Sequence, residues 1–171
     1  MSFRDIFEGR NLSAKTGEPL TICQFCSKPL AESDFYVIAK AYNKGRLSVE
    51  AVQCLECQEK ASGYISQQST ENIQLYAGRR FKKYMEQPTD VDPVEPTCLF
   101  TGEELFIHDD FELYSVHLPW DAQQMYFLIG PTAVEQMSDL LSEETRKFWE
   151  KYMELLDPVS PEHVLSPMFL R

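Results

Sequence analysis

Four cysteines carry the clearest chemistry in this chain of 171 residues. They form two Cys-x-x-Cys pairs, Cys23/Cys26 and Cys54/Cys57, with 27 residues between the pairs. A Cys-x-x-Cys turn points both sulfurs to one side, so two pairs can supply the tetrahedral thiolate set that zinc prefers in structural sites. All four positions would be filled by protein, which leaves none for a catalytic water. The spacing therefore predicts one structural zinc ion per chain.

Disulfides, redox-active dithiols and unpaired core thiols are the other readings of the same cysteines. The first twenty residues lack the apolar segment of a secretory signal, so we expect a reducing, cytoplasmic location, which disfavours disulfides. A single thioredoxin-like redox pair would leave the second pair unexplained. Structural zinc is the interpretation that accounts for both pairs.

The segments beside the cysteines predict a hairpin followed by helices. Residues 34–42 and 46–53 are rich in β-branched and aromatic side chains and predict two strands. Asn43-Lys44-Gly45 between them predicts a tight turn. A polar, helix-compatible stretch follows the second cysteine pair, and a longer helix is expected from about Thr70 to Glu86, with Ser69 as its N-cap.

A knuckle, a hairpin and a second Cys-x-x-Cys at a helix start, over residues 20–67, resemble a treble-clef zinc finger. A zinc ribbon, the related alternative, would place a strand after Cys57. The positive end of a helix also suits thiolate ligands. The resemblance implies a fold and a metal, but it implies no function, because treble clefs bind nucleic acids, bind proteins and catalyse reactions.

The segment from Cys98 onward is predicted to be a second copy of the first module. Cys23 aligns with Cys98, Phe25 with Phe100 and Leu30 with Leu105, and after one inserted residue Asp34-Phe35 aligns with Asp110-Phe111. Lys83-Tyr84-Met85-Glu86 also recurs as Lys151-Tyr152-Met153-Glu154. Chance similarity between two hairpin-plus-helix segments is the alternative.

Only Cys98 remains of the four ligand positions in this second copy. The other three positions hold Thr101, Gly130 and Ala133. One thiol cannot hold structural zinc, so we expect a metal-free copy that folds through its apolar core, with Cys98 as a small buried residue. Gly130-Pro131 predicts a strand-to-helix junction, and Ser142 predicts the start of a further helix.

The organisation that follows has four parts. Residues 1–87 form a zinc-binding treble-clef-like module, which opens with a short helix over residues 2–8. Residues 88–97 form a linker rich in proline and acids, residues 98–157 form the metal-free repeat, and residues 158–171 form an irregular tail. The fold class is therefore α+β, with two tandem modules whose helices pack together and bury Phe81, Tyr84, Phe148 and Trp149.

Charge is distributed unevenly along this acidic chain, whose net charge is −11. Residues 1–87 hold 12 basic and 10 acidic side chains, whereas residues 88–171 hold 4 basic and 17 acidic ones. The acidic second half would repel phosphates and suits a basic protein partner. One basic cluster, Arg79, Arg80, Lys82 and Lys83, is a candidate contact for nucleic acid or a partner.

The sequence offers no recognisable catalytic motif. His108, His117 and His163 form no metal-protease pattern, and glycine-rich phosphate loops and nucleophile elbows are missing. Asp109-Asp110 precedes a predicted strand, where acids commonly serve turns. No apolar run approaches the length of a membrane span. We expect a non-enzymatic, zinc-stabilised interaction or adaptor protein. A nucleic-acid-associated regulator and a zinc-thiolate redox switch are the alternatives.

Overall fold

One antiparallel sheet of four strands joins the two halves of the chain. The computed structural model describes residues 2–85, 96–118 and 124–154. Its strands are β1 (Tyr36–Asn43), β2 (Arg46–Cys54), β3 (Phe111–His117) and β4 (Gln124–Ile129), in the order β2-β1-β3-β4. The two hairpins meet at the centre, where Tyr36 lies opposite His117 and Tyr42 opposite Phe111. The predicted α+β class is confirmed.

Five α-helices accompany the sheet in the described part of the chain. They are α1 (Phe3–Glu8), α2 (Leu55–Ser62), α3 (Gln67–Met85), α4 (Pro131–Asp139) and α5 (Glu143–Met153), and a single 3₁₀ turn spans Leu30–Glu32. The predicted starts at Pro131 and after Ser142 are confirmed. The prediction for α3 was wrong by three residues. The helix begins at Gln67, directly after Ser66. The Oγ of Ser66 accepts a hydrogen bond from the Ser69 N–H in the first turn, at 3.2 Å.

The turn of the first hairpin has the backbone that its sequence predicts. Lys44 and Gly45 both have positive φ, at 48° and 75°, as in a type I′ turn. Gly45 also lies against the loop before β3, because a Cβ there would fall 2.6 Å from the carbonyl oxygen of Ile107. The Lys44 N–H donates to Asp110 Oδ1 at 3.0 Å. The β1–β2 turn of the first half thereby contacts the loop before β3 in the second half.

Helices α3 and α5 each pack on the opposite half of the molecule. Phe81 and Tyr84 of α3 meet the ring of Phe127 in β4 edge-on, with centroids 5.7 and 6.1 Å away. In return, Tyr152 of α5 stacks on Phe25 at 4.9 Å. Of the four side chains expected to be buried, Trp149 is buried, while Phe81, Tyr84 and Phe148 remain partly exposed. This exchange of helices ties the halves into one core.

The N-terminal segment covers the other face of the sheet, which the sequence did not predict. Lys40 in β1 and Glu50 in β2 form a buried ion pair, with Nζ and Oε2 3.1 Å apart. Lys40 Nζ also donates to the carbonyl oxygens of Gly9 and Leu12, and Glu50 Oε2 accepts the Ala14 N–H at 3.0 Å. Burial lowers the Lys40 pKa, and Glu50 opposes that shift. The pair thus anchors residues 9–14 across the sheet.

The predicted linker and the predicted C-terminal tail lie mostly or wholly outside the described residues. Residues 88–95 of the predicted linker and the whole predicted tail, 158–171, lie outside the described residues. Among the helices that are described, none combines the length and apolar character needed to cross a membrane.

Candidate metal centre

The four predicted ligands come together at one place. The Sγ atoms of Cys23, Cys26, Cys54 and Cys57 all lie within 4.8 Å of one another. Cys26 Sγ and Cys54 Sγ are 3.7 Å apart. Four sulfurs at about 2.3 Å from a central zinc would be separated by about 3.8 Å along each tetrahedral edge. The cluster can therefore hold a metal ion.

The first pair sits in a knuckle that is fastened to β2. The Cys23 N–H donates to the Lys28 carbonyl and the Ser27 N–H donates to the Cys23 carbonyl, both at 2.9 Å, with Ser27 at a positive φ of 59°. The Gln24 N–H donates to the Val52 carbonyl at 3.0 Å, and the Val52 N–H donates to Gln24 Oε1 at 2.9 Å. These two hydrogen bonds place the sulfurs of Cys23 and Cys26 at the end of β2.

The second pair spans a strand-to-helix junction. Cys54 is the last residue of β2 and the N-cap of α2, and Cys57 lies in the first turn of that helix. The helix expected after the second pair is therefore confirmed. Thiolates at this position face the positive end of the helix dipole, which stabilises their charge.

A salt bridge links the two cysteine pairs at the surface. Lys28, two residues past Cys26, lies with its Nζ 2.6 Å from Oε1 of Glu56, which stands between the second pair's cysteines. This contact was not predicted from the sequence. The sequence could have indicated it, because two Cys-x-x-Cys turns that share one metal lie side by side. A lysine just after one pair and a glutamate within the other then come close together.

The environment of the thiols differs from one cysteine to the next. Cys26 is exposed, whereas the other three are buried. Burial raises the pKa of Cys54 and of Cys57. Burial also opposes ionisation of Cys23, but hydrogen bonds from the backbone N–H groups of Cys54, Phe25 and Cys26 outweigh it and lower the Cys23 pKa. A bound cation would favour the thiolate form of all four.

The second half contains the same knuckle without a ligand set. The Cys98 N–H donates to the Glu103 carbonyl at 2.8 Å, the Gly102 N–H donates to the Cys98 carbonyl at 2.9 Å, and Gly102 has a positive φ of 72°. Cys98 is buried, as predicted. A Cβ at Gly130 would lie 2.2 Å from Glu103 Oε1 and 2.8 Å from Leu105 Cδ2. Side chains of the knuckle therefore occupy the space that a longer residue at position 130 would need.

The predicted basic cluster lies in α3 and its described side chains form no ion pair with another described residue. Arg79, Arg80 and Lys82 are exposed, and none of them takes part in the salt bridges found among the described residues. Lys83 belongs to the same helix. As expected for a helix, Phe81 and Tyr84 pack against the core while Arg79, Arg80 and Lys82 face solvent.

The histidines and the Asp109-Asp110 pair have structural surroundings. His117 stacks on Tyr36 with centroids 4.1 Å apart, and its Nε2 lies 3.2 Å from Asn11 Oδ1. Burial, helped by Arg10, lowers the His117 pKa to about 4. Asp109 Oδ2 accepts the Phe106 N–H at 2.8 Å within its own turn, and Asp110 accepts from the hairpin turn. His108 is exposed, and His163 lies outside the described residues.

Comparisons of this chain with protein-family models, with curated proteins and with solved structures found no match. Its function is therefore inferred from the arrangement of its own residues.

Proposed function

We propose that this chain is a non-enzymatic protein-interaction or adaptor protein of the reducing cytoplasm, held in shape by one structural zinc ion. The observation that carries the proposal is the closed set of four sulfurs, all within 4.8 Å of one another. Thiolate ligands favour zinc among the common divalent ions, and a site filled by four protein ligands leaves no position for substrate or water.

The internal symmetry of the molecule supports two tandem treble-clef-like modules that arose by duplication. The knuckles at Cys23 and Cys98, 75 positions apart, make the same backbone hydrogen bonds. The starts of α3 and α5 also exchange equivalent contacts at an offset of 76 positions, because the Ser66 N–H donates to Thr145 Oγ1 and the Ser142 N–H donates to Ser69 Oγ. Such reciprocal contacts are what two equal modules related by a two-fold axis would form.

The same offset corrects one alignment made from the sequence. Tyr76 packs on Phe100 with centroids 5.9 Å apart, just as Tyr152 packs on Phe25 at 4.9 Å. Tyr152 is therefore the spatial counterpart of Tyr76 rather than of Tyr84. Helix α3 has 19 residues and α5 has 11, so the recurrence of Lys-Tyr-Met-Glu compares positions that are not equivalent in space.

Exposed acids in the second half support a basic protein partner. Glu135 and Asp139 are exposed on α4, and Glu144 and Glu150 on α5. The described residues of this half, 96–118 and 124–154, include 11 acids and 3 basic residues. Such a surface attracts a basic partner at long range and repels nucleic acid.

Affinity isolation from cells that make the protein tests the proposal. We expect a partner that is recovered with the wild type, lost with the Glu135→Lys/Asp139→Lys double variant, and released as salt rises. Zinc measured on the same sample is expected at one ion per chain. Equal recovery with the wild type and the double variant would contradict the binding half of the proposal, and intact protein without metal would contradict the zinc half.

A zinc-thiolate redox switch remains the second candidate, because one ligand is accessible. Cys26 is exposed and its Sγ lies 3.7 Å from that of Cys54, so oxidation could join these sulfurs and release the metal. Mild peroxide is then expected to free zinc with partial unfolding. Zinc that stays bound under peroxide would count against this candidate.

Nucleic-acid regulation through Arg79, Arg80, Lys82 and Lys83 is the third candidate. It would require salt-dependent binding of DNA or RNA that charge reversal abolishes. Phe81 and Tyr84, which would be the natural stacking platforms, pack on Phe127 instead. The net charge of −11 also opposes polyanion binding.

A further inference from the structure

Helix α3 presents an exposed strip whose composition the fold itself does not require. The strip consists of Leu75, Gly78, Arg79 and Lys82, at the spacing i, i+3, i+4, i+7 that places side chains on one helix face. Leu75 is 81% exposed, the most exposed of the large hydrophobic residues in the described chain. We call this face the α3 strip.

Gly78 is the informative residue of the α3 strip. A glycine in a helix interior costs stability relative to alanine. No packing contact with the described residues explains it, since a Cβ built at Gly78 meets none of their atoms within 4 Å. Its φ is also not in the left-handed region, where only Gly17, Gly45 and Gly102 are found among the described glycines. Gly78 therefore leaves a notch on the helix surface that the fold of this chain does not need.

The charges beside the notch have no ion-pair partner among the described residues. Arg79 and Lys82 are exposed and form no ion pair with any described acid, in a chain whose net charge is −11. The segment from Gly78 to Met85 is also the part of α3 that extends past the length of α5. Its inner face already packs through Phe81 on Phe127, so its outer face is left available for contact.

We propose that the α3 strip docks an acidic peptide segment of a partner protein. Arg79 and Lys82 would pair with its carboxylates, Leu75 would contact an apolar side chain, and the notch at Gly78 would let the two backbones approach closely. A second copy docked strip to strip would bring these like charges together, so a different, acidic partner fits better. This inference deepens the proposed binding function by adding a second surface of opposite charge.

Site-specific photo-crosslinking in the full-length, zinc-loaded protein tests the α3 strip. The probe is p-benzoylphenylalanine, placed at Leu75 in one version and at the exposed Glu150 of α5 in the control version. We expect adducts from position 75 whose crosslinked peptide, sequenced by mass spectrometry, is rich in Asp and Glu. The Glu150 position is expected to yield none with that peptide.

Two variants make the result decisive. Gly78→Ala is expected to raise the denaturation midpoint, because the helix gains a better former without a clash, and at the same time to reduce the adduct at least several-fold. Arg79→Glu/Lys82→Glu is expected to abolish the adduct. Opposite signs for stability and binding in Gly78→Ala cannot arise from misfolding.

Three outcomes would overturn the inference: no adduct above the Glu150 level, adducts with nucleic acid, or adducts that neither variant reduces. Each leaves the proposed function separately testable, because that proposal depends on a partner sensitive to Glu135→Lys/Asp139→Lys. If that partner is recovered while the α3 strip fails, only the present inference is lost. If both fail, the binding function is lost as well.

Discussion

The hydroxyl oxygens of Ser66 and Ser142 lie 2.9 Å apart, at the point where α3 and α5 begin. Around them the two helices exchange caps. The Ser66 N–H donates to Thr145 Oγ1 at 2.9 Å, and the Ser142 N–H donates to Ser69 Oγ at 2.8 Å. Ser69 and Thr145 are fully buried. Two helix starts, each with N–H groups that need partners, thus satisfy each other where α3 and α5 meet.

We predict that Ser69→Ala and Thr145→Ala each lower the free energy of unfolding by about 1–2 kcal/mol, because each leaves a partly buried N–H, of Ser142 or of Ser66, without its acceptor. The double variant should depart from additivity by at least about 0.5 kcal/mol, since Ser69 Oγ and Thr145 Oγ1 are 3.2 Å apart. Urea titration of the four proteins measures this cycle. Ser62→Ala, at an exposed hydroxyl, is the matched control and should change stability by less than about 0.5 kcal/mol. Independent, additive losses would show that the shared cap is not one unit.

Metal content should depend on four cysteines and not on the fifth. Cys23→Ser is expected to remove zinc from the purified protein and to unfold the first half partly, because metal binding and folding are coupled. Cys98→Ser changes an equally buried thiol in the equivalent knuckle, so it should keep one zinc per chain. Elemental analysis with circular dichroism compares them. Zinc retained by Cys23→Ser, or lost from Cys98→Ser, would contradict the assignment.

Gly45→Ala should destabilise the protein more than Gly17→Ala. Both glycines have positive φ, at 75° and 71°, so both substitutions carry the conformational cost of roughly 1–2 kcal/mol for a left-handed residue. Only at Gly45 would the new Cβ also meet backbone, 2.6 Å from the Ile107 oxygen, whereas nothing lies within 4 Å of the Cβ at Gly17. Thermal denaturation of both variants tests the difference. Equal losses would mean that the hairpin turn moves freely away from the loop before β3.

Acidification should cost stability through His117. Burial lowers its folded-state pKa to about 4, below the value near 6.5 of an exposed histidine. Between these values the unfolded chain takes up a proton that the folded protein refuses, so stability falls as pH decreases from about 6.5 toward 4. Because the ring is only partly buried, we expect about 1–2 kcal/mol.

His117→Gln provides the control for this pH dependence. Glutamine can still donate a hydrogen bond to Asn11 but cannot titrate. The difference in unfolding free energy between wild type and variant, measured by urea titration at pH 7 and pH 5, should therefore shrink as pH falls. A difference that stays constant with pH would show that His117 titrates normally in the folded state.

The sequence allowed the metal cluster and the local elements to be predicted, because their signals are short-range. Cys-x-x-Cys spacing places two sulfurs together whatever the rest of the chain does. Asn43-Lys44-Gly45 supplies the positive φ values that a tight hairpin needs, and Ser142 supplies a side-chain acceptor for a helix start. The start of α3 was misplaced because Ser66 and Ser69 are both good caps. Ser69 instead lies in the first turn of α3, where its Oγ accepts the Ser142 N–H at the start of α5.

The tertiary structure alone decided how these elements combine. The hairpins could each have ended in an exposed edge, but β1 and β3 pair instead, since unpaired strand N–H and C=O groups gain most from a long, matching edge. That pairing links residues from 69 positions apart (Tyr42 and Phe111) to 81 positions apart (Tyr36 and His117), so no local sequence pattern predicts it. The exchange of helices, and the N-terminal segment held by Lys40 and Glu50, follow from the same cause. Each buries groups whose partners are distant in the chain, and burial is decided by the whole core rather than by neighbouring residues.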